Sequence, residues 1–346
     1  MMRTILTAMI LAGSLTTVFA DNVRTIAFRE YLDGYLEQSA TLDAAVEAAE
    51  DAFDAYEDAE ASGESAYELG LIESTYRYRE ALVLRVLNEE TIAAVELVHN
   101  EAASRASRDF TATSESLAEE EYARTVELHA NEYVSARDLL TARAAKLQAA
   151  AGARSAAAAH AAALRALARP VDETPDSLRI VMFDIPEELP DLPELGWIVD
   201  HDADVIHLRA DLDLYRRRRE HIRESEIILP AEQESLQQAI ENAERSLQER
   251  IWQLEDALVQ IRADIASHPQ SLTAAETNER IAALDLEEAR YQLAQGDLHS
   301  TGVRQVELAH AMAAEQLADL ARTWLLTVLD LLKLMNEDLQ EWAEEL

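Results

Sequence analysis

The sequence predicts an all-α fold of elongated coiled-coil helical hairpins arranged in two tandem repeats. The composition is typical of long helices, because Ala, Leu, Glu and Arg are abundant whereas the 346 residues include only 8 Gly and 7 Pro. Apolar residues recur at gaps of three and four over long segments, as they do along the seam of a coiled coil. The segment 127–147 reappears in similar form 164 residues later, which aligns Glu132 with Gly296 and Leu139 with Val303. Self-similarity of this kind indicates a repeat architecture.

The N-terminus has the pattern of a secretory signal peptide over residues 1–20. Arg3 supplies a short basic region, residues 5–15 are mostly apolar, and Val18-Phe19-Ala20 forms a small-residue cleavage site before Asp21. The alternative is an uncleaved anchor, but the apolar run is shorter than the ~20 residues that a spanning helix needs. We therefore expect an exported protein. It has no cysteine, so packing alone must hold it together.

The charge balance is strongly acidic. The chain has 67 Asp and Glu against 30 Lys and Arg, a net charge of −37. Phosphate binding requires clustered basic residues, so this balance argues against a nucleic-acid partner. A solvated surface that resists aggregation is the simpler explanation.

The first repeat is predicted at 21–170. Helix is expected over 25–60, followed by a turn at 61–65 and a very long helix over 66–130. The polar stretch 107–116 weakens the pattern, and Ser116 with Glu119 has the spacing of a capping box that could restart a helix there. A break at 131–137 precedes a last helix that ends near 168–170.

A proline-rich linker is predicted at 171–197, where four further prolines follow Pro170. Within it, the segment LRIVMFDI at 178–185 could form one short strand or an extended segment lying against the helices.

The second repeat is predicted at 198–346. Helix is expected over 198–229, with Pro230 in the turn that follows, and a heptad seam begins at 232. SHPQS at 267–271 interrupts that seam, so the chain could reverse near Pro269 or at the later break around 296–302. Helix is expected again from about 302 to 342.

Two polar clusters are candidate sites. In HDADVIH, at 201–207, His201 and Asp204 have the spacing of ligands on a helix, but two or three groups without a closed set make a poor metal site, and we predict no metal there. The four arginines Arg216, Arg217, Arg218 and Arg219 circle a helix, so they either form bridges to neighbouring carboxylates or contact anionic lipid headgroups.

Motifs for nucleotide binding, zinc proteases and serine hydrolases are missing, so we expect neither an enzyme nor a cofactor.

The repeated break also carries a family resemblance. NEYVSARDLLTAR at 131–143 and QGDLHSTGVRQVE at 295–307 resemble the turn and following helix that occur once per half in the TolC family of outer-membrane efflux proteins. LPDLPELGW at 189–197 resembles the family's linker, and ESEIILP at 224–230 resembles the end of its short helix. The resemblance covers residues 25–336.

The resemblance implies a TolC-like fold of antiparallel helical hairpins in two tandem repeats, with three chains forming a periplasmic tunnel. Each break would be a hairpin at the periplasmic tip, where carboxylates narrow the aperture and adaptor proteins dock. The residues expected at the tips and in adaptor docking are Asn131, Glu132, Ser135, Asp138, Gly296, Asp297, Ser300 and Gly302. An inner-membrane pump would supply the energy.

The sequence also departs from the family pattern. The β-hairpins that build the family's barrel should fall near 60–66 and 229–232, where only short turns occur, so we expect a TolC-like fold without a β-barrel. Asp138 matches the motif Asp but aligns with Gly302, and Glu132 stands where Gly is usual.

Three functions remain open from the sequence. The chain is either a tunnel subunit that oligomerises alone or beside a barrel-bearing relative, or a periplasmic structural or adaptor coiled coil that does not conduct. A ligand-binding helical bundle is a weaker third option. For the protein as a whole, the signal peptide and the resemblance imply the periplasm, and the resemblance also implies association with the outer membrane.

Overall fold

The computed structural model describes residues 24–175, 178–181, 192–224, 230–296 and 298–340. The predicted signal peptide at 1–20 and residues 176–177 and 182–191 of the proline-rich linker lie outside the described residues. The first part of the chain contains β1 (Arg24–Ala27), α1 (Phe28–Leu36), α2 (Ala40–Ser62), α3 (Ala66–Ala130), α4 (Ala136–Ala168) and a 3₁₀ turn (Arg169–Val171). The later part contains β2 (Leu178–Val181), α5 (Leu195–His201), α6 (Ala203–Glu224), α7 (Pro230–Gln295) and α8 (Ser300–Leu334).

Two long antiparallel hairpins, α3–α4 and α7–α8, dominate the structure, and the fold class predicted from the sequence is confirmed. In the first hairpin, Lys146 bonds Glu119 while His160 lies beside Ser104, so residues pair in opposite directions along the two helices. The second hairpin shows the same order, with Arg290 on Glu307 and His310 on Glu279. At ~1.5 Å per residue, the 65-residue α3 extends roughly 100 Å.

The shorter helices α2 and α6 pack against α3 and α7, respectively, at the end remote from the hairpin turns. Phe53 of α2 packs on Tyr76 of α3, and Arg218 of α6 bonds Glu232 of α7. The two halves meet along α3 and α8, where Arg304 bonds Glu120 and Lys333 bonds Glu89. Both hairpins therefore run side by side, with their turns at the same end.

The largest core lies midway along α3, where the returning helices α4 and α8 end. Here β1 pairs in parallel with β2, with Ile26 opposite Ile180, and this small sheet packs with α1 against the middle of α3 and the end of α8. Tyr31, Leu32, Val95, Val328 and Leu329 are almost completely buried. Toward the turns the core narrows to small clusters such as Leu286, Ala289 and Val303. Burial of apolar area is thus concentrated where the strands and the short helices add a further layer.

The left-handed backbone positions repeat with the same offset as the sequence. Glu132 has φ 61° and Gly296 has φ 83°, and both follow the last residues of a long helix. Asp172 (φ 51°) and Asn336 (φ 58°) terminate the returning helices and are again 164 residues apart. The two halves therefore end corresponding helices in the same way.

Two predictions of a helix interruption are wrong. Helix α3 is unbroken through 107–116, because the polar side chains there bond back to their own helix: Thr111 donates to the carbonyl of Ser107 (2.8 Å) and Thr113 to that of Asp109 (2.9 Å).

Helix α7 also continues through Pro269, so neither the interruption at 267–271 nor a chain reversal there is observed. A proline in a helix interior costs about 3 kcal/mol. The packing on either side offsets that cost, because His268 stacks on Trp324 at 4.3 Å and Ile261 and Ala275 are buried.

Other helix boundaries differ from those expected. The predicted helix 25–60 is a strand and two helices, and Ser39 caps α2 by accepting a hydrogen bond from the N–H of Leu42 at 3.1 Å. The predicted helix 198–229 is divided at Asp202, whose carboxylate caps α6 through the N–H of Val205 (3.0 Å). Residues 225–229 lie outside the described residues. The last predicted helix, 302–342, is observed as Ser300–Leu334.

Candidate functional site: the hairpin tips

The first hairpin turns through a Schellman motif. The N–H of Tyr133 donates to the carbonyl of Leu128 (2.9 Å) and the N–H of Glu132 to that of His129 (3.0 Å), which satisfies carbonyls left open at the end of α3. Glu132 occupies the left-handed position that glycine usually fills. Asn131 adds a bond from its side-chain amide to the carbonyl of Glu127 at 2.9 Å.

The returning helix α4 begins with a capping box between Ser135 and Asp138. The Ser135 hydroxyl accepts from the N–H of Asp138 (3.2 Å), and the Asp138 carboxylate accepts from the N–H and hydroxyl of Ser135 (2.9 and 2.6 Å). These hydrogen bonds lower the pKa of Asp138, which is fully exposed, so the tip carries a fixed negative charge. The cap alone explains the Ser135–Asp138 pair. A role in an aperture is a further prediction.

The second tip turns with a glycine and has a different cap. The N–H of Gly296 donates to the carbonyl of Leu293 (3.0 Å), and His299 stands at the N-cap without a side-chain bond. Gly302 lies against Leu298, whose Cδ1 is 2.7 Å from where a Cβ would be. A side chain such as that of Asp138 therefore does not fit at this aligned position without movement of Leu298. Ser300 begins α8, and Asp297 lies outside the described residues.

Exposed apolar side chains form stripes on two of the long helices. Leu140 and Leu147, one heptad apart on α4, are 63% and 59% exposed. Helix α7 carries a longer set: Trp252, Val259, Ile281, Leu284 and Tyr291. Exposed apolar side chains in heptad register are the kind that helices use for lateral contact with another chain. The sequence pattern did not reveal these stripes, because seam residues and exposed apolar residues both recur at heptad spacing.

Each of the four arginines of α6 forms an ion pair or a hydrogen bond with a nearby side chain. Arg216 bonds Glu244, Arg217 pairs with Asp213, and Arg218 bonds Glu232 and lies over the ring of Tyr67 at 5.4 Å. Arg219 donates to Gln237 at 2.7 Å.

The residues of HDADVIH are dispersed among different partners. His201 stacks on Trp197 (4.0 Å), whereas His207 stacks on Tyr78 (4.4 Å) and lies 2.9 Å from the Ser74 hydroxyl. Asp204 accepts hydrogen bonds from Tyr78 and Arg85. Within the described ranges, no group of three or more His, Asp or Glu side chains is arranged to hold a metal ion.

An ion-pair network between the two halves was missed by the sequence analysis. Arg85 of α3 and Arg250 of α7 both pair with Asp204, and Arg250 also binds both oxygens of Asp202 at 3.1 and 2.7 Å. The side chains are largely buried, and the pKa of Asp204 is lowered by Arg85 and Tyr78 despite the opposing effect of burial. Arg85, Asp204 and Arg250 are so far apart in the sequence that no local pattern predicts their contact.

The comparisons with known proteins concern the fold. No protein-family model and no curated protein matches the sequence. Among the described residues, no helix combines the length and the apolar character that crossing a bilayer requires.

Several solved structures share the architecture at low sequence identity. The chain matches the outer-membrane channel OprN with a TM-score of 0.64 and 12% identity, over 90% of both chains. It matches the outer membrane protein VceC from Vibrio cholerae (TM-score 0.59, 11% identity, 90% of this chain and 96% of that one). It also matches the CmeC outer membrane channel of Campylobacter jejuni (TM-score 0.62, 13% identity, 92% and 88%). The chain has the fold of the TolC-like outer-membrane channels.

Proposed function

We propose that the protein is a subunit of a TolC-like periplasmic tunnel in an efflux or export system that moves cargo across the outer envelope. The observation that supports this function most directly is the pair of parallel-running hairpins, which matches an outer-membrane channel over 90% of both chains. The subunit would be passive and non-enzymatic, with energy supplied by an inner-membrane pump. The proposal includes the two repeats at 21–170 and 198–346 and the linker at 171–197.

The tunnel wall would form by lateral contact between copies of this chain or with a relative. Heptad-spaced Leu140 and Leu147 on α4, and the apolar stripe on α7, are placed for such contact because they are exposed in the single chain. Burying each of these side chains would contribute about 1.5–3 kcal/mol. A trimer is the assembly that the family resemblance suggests.

The tips would form the aperture and dock an adaptor protein. Glu132 and Asp138 are exposed carboxylates at the turn of the first hairpin, and the 78%-exposed Tyr133 stands between them along the chain. An acidic rim with an exposed aromatic ring offers both charge and an apolar anchor to a partner. Asn131, Ser135, Gly296, Asp297, Ser300 and Gly302 complete this proposed surface.

The basic cluster Arg216–Arg219 would approach anionic headgroups at the outer membrane. Arg217 is the best placed, because its side chain is 73% exposed and its pairing with Asp213 lies within one helix turn. Replacing Arg217 and Arg218 with Gln should weaken sedimentation with anionic vesicles. Unchanged sedimentation would contradict the membrane role and leave ion pairing within the chain as the function of the cluster.

The assembly is tested by native mass spectrometry of the mature protein at micromolar concentration. We expect an oligomer for the wild type and a large shift to monomer for Leu140→Gln/Leu147→Gln. Thr141→Gln, a polar-to-polar change at another position of the same helix, serves as the matched control. A strict monomer that also binds no outer-membrane channel of this fold would contradict the tunnel function.

Conduction is tested separately, since an adaptor could oligomerise as well. Ion current across planar bilayers should rise when the protein is added with a co-expressed channel of this fold, above the current of that channel alone. An oligomer that never changes the current would instead support the second function, a periplasmic structural or adaptor coiled coil.

A further inference from the structure

A cavity of about 370 Å³ lies where α3, α6, α7 and α8 meet, at the end of the hairpins remote from the tips. Its size is within the range of small-molecule sites. Its apolar lining comes from Leu254, Ala257 and Ile261 of α7 with Leu334 of α8. Charged and amide side chains form the rest of the lining, so the cavity offers both apolar and polar contacts.

The cations around the cavity already have partners. Arg85 and Arg250 are held by Asp202 and Asp204, and Lys333 bonds Glu89 at 3.0 Å. An anionic ligand would therefore have to compete with intramolecular carboxylates for each of them.

Two carboxylates in the cavity lack such a partner. Among the described residues, no Lys, Arg or His lies within ion-pair distance of Asp264 or Asp330. In the described part of the chain, the Asp264 carboxylate accepts hydrogen bonds only from the side-chain amide of Gln260, at 3.0 Å to each oxygen. Asp330 remains reachable by solvent, yet the surrounding helices displace enough water to raise its pKa, and Glu96 adds to this effect against the opposing charge of Lys333.

We propose that this cavity binds an amphipathic amine, with the ammonium group between Asp264 and Asp330 and the apolar body against Leu254, Ile261 and Leu334. A partly dehydrated carboxylate gains more from a cation than one in bulk water does. A compact ammonium can donate to two carboxylates at once, and the apolar lining residues accommodate the carbon skeleton. A metal ion fits less well, since no third ligand group is placed for it among the described residues.

The test uses the mature full-length protein, 2-phenylethylamine as the probe, and 2-phenylethanol as its neutral counterpart, with binding measured by calorimetry. We expect the amine to bind at least tenfold more tightly than the alcohol. Asp330→Asn and Asp264→Asn should each weaken amine binding about tenfold, and acidification should weaken it as Asp330 becomes protonated. Asp285→Asn, an exposed carboxylate of α7 outside the cavity, should leave it unchanged.

A cavity-filling variant provides an independent check that keeps every charge. Ala257→Leu should abolish binding of the amine while circular dichroism shows an intact helical fold. Equal affinity for the amine and the alcohol, or amine binding that survives Ala257→Leu or both Asn substitutions, would overturn the proposal. These results do not depend on whether the protein conducts.

Discussion

Glu132 adopts a backbone conformation that an L-residue with a side chain enters at a cost of about 1–2 kcal/mol. Its partner in the second repeat is Gly296, which enters the same region without that cost. We therefore expect Glu132→Gly to raise the free energy of unfolding by about 0.5–1 kcal/mol, measured by urea denaturation. The gain is smaller than the strain because glycine also increases the entropy of the unfolded chain.

Matched substitutions separate strain from charge at this position. Glu132→Ala removes the carboxylate but keeps the Cβ, so it should not reproduce the gain. Gly296→Ala should destabilise the protein by about 1 kcal/mol for the converse reason. If Glu132→Ala stabilises as much as Glu132→Gly, electrostatic repulsion at the tip rather than backbone strain limits stability.

At the level of a whole helix, Pro269 is the unfavourable residue, because it lies in the interior of the 66-residue helix α7. Its ring nitrogen cannot donate to the carbonyl of Ile265, and its ring crowds that carbonyl. Pro269→Ala should therefore stabilise the protein by up to about 3 kcal/mol, seen as a higher midpoint in urea. Ser267→Ala two residues earlier is the control and should have a smaller effect. A lower midpoint for Pro269→Ala would show that the packing of His268 on Trp324 requires the proline-adapted backbone.

The helices were largely predictable from the sequence, but their ends were only partly so. Composition and heptad spacing predict α3 over 66–130, and the structure has Ala66–Ala130. Strand β1 was missed, because its four residues gain their stability from pairing with β2 in the distant linker and from burying Ile26. The division at Asp202 was missed because Asp200, Asp202 and Asp204 alternate in this segment, and their spacing alone does not say which of them caps a helix. In the structure Asp202 caps α6 through the N–H of Val205, and Arg250 holds the same carboxylate.

The tips and the cavity differ in how far the sequence predicts them. The repeat aligns Glu132 with Gly296, and both adopt positive φ in the observed turns, whereas Pro269, the alternative turn of the second half, lies within α7. The Ser135–Asp138 spacing is that of the capping box found there, although the sequence analysis did not use it. In contrast, Asp264 and Asp330 stand on different helices, and which carboxylates keep a partner depends on the register between α7 and α8. No single-sequence pattern reports that register.

At the scale of the whole molecule, the buried His160 and His268 and the half-buried His99 lie on three of the four long helices. His99 lies on α3, His160 on α4 and His268 on α7, and α8 contributes Trp324 against the ring of His268. Burial lowers the pKa of all three. For His160, the charges of Arg108 and Arg105 act in the same direction, while Glu101 and Asp109 oppose them.

His99 gives the clearest pH dependence, because burial and the charge of Arg322 lower its pKa from 6.5 to about 4. Between these values the unfolded chain binds more protons than the folded one, so stability is complete above pH 6.5 and is lost as the pH falls toward 4. We expect His99 to reduce the free energy of unfolding by about 2 kcal/mol between pH 8 and pH 5. His99→Leu should remove this pH-dependent loss of stability. As the pH falls, the free energy of unfolding of the variant, measured by urea denaturation, should therefore rise relative to that of the wild type. His221→Gln, an exposed histidine on α6, should leave the wild-type profile unchanged. A constant difference between His99→Leu and wild type across this range would show that His99 stays equally protonated in the folded and unfolded chains.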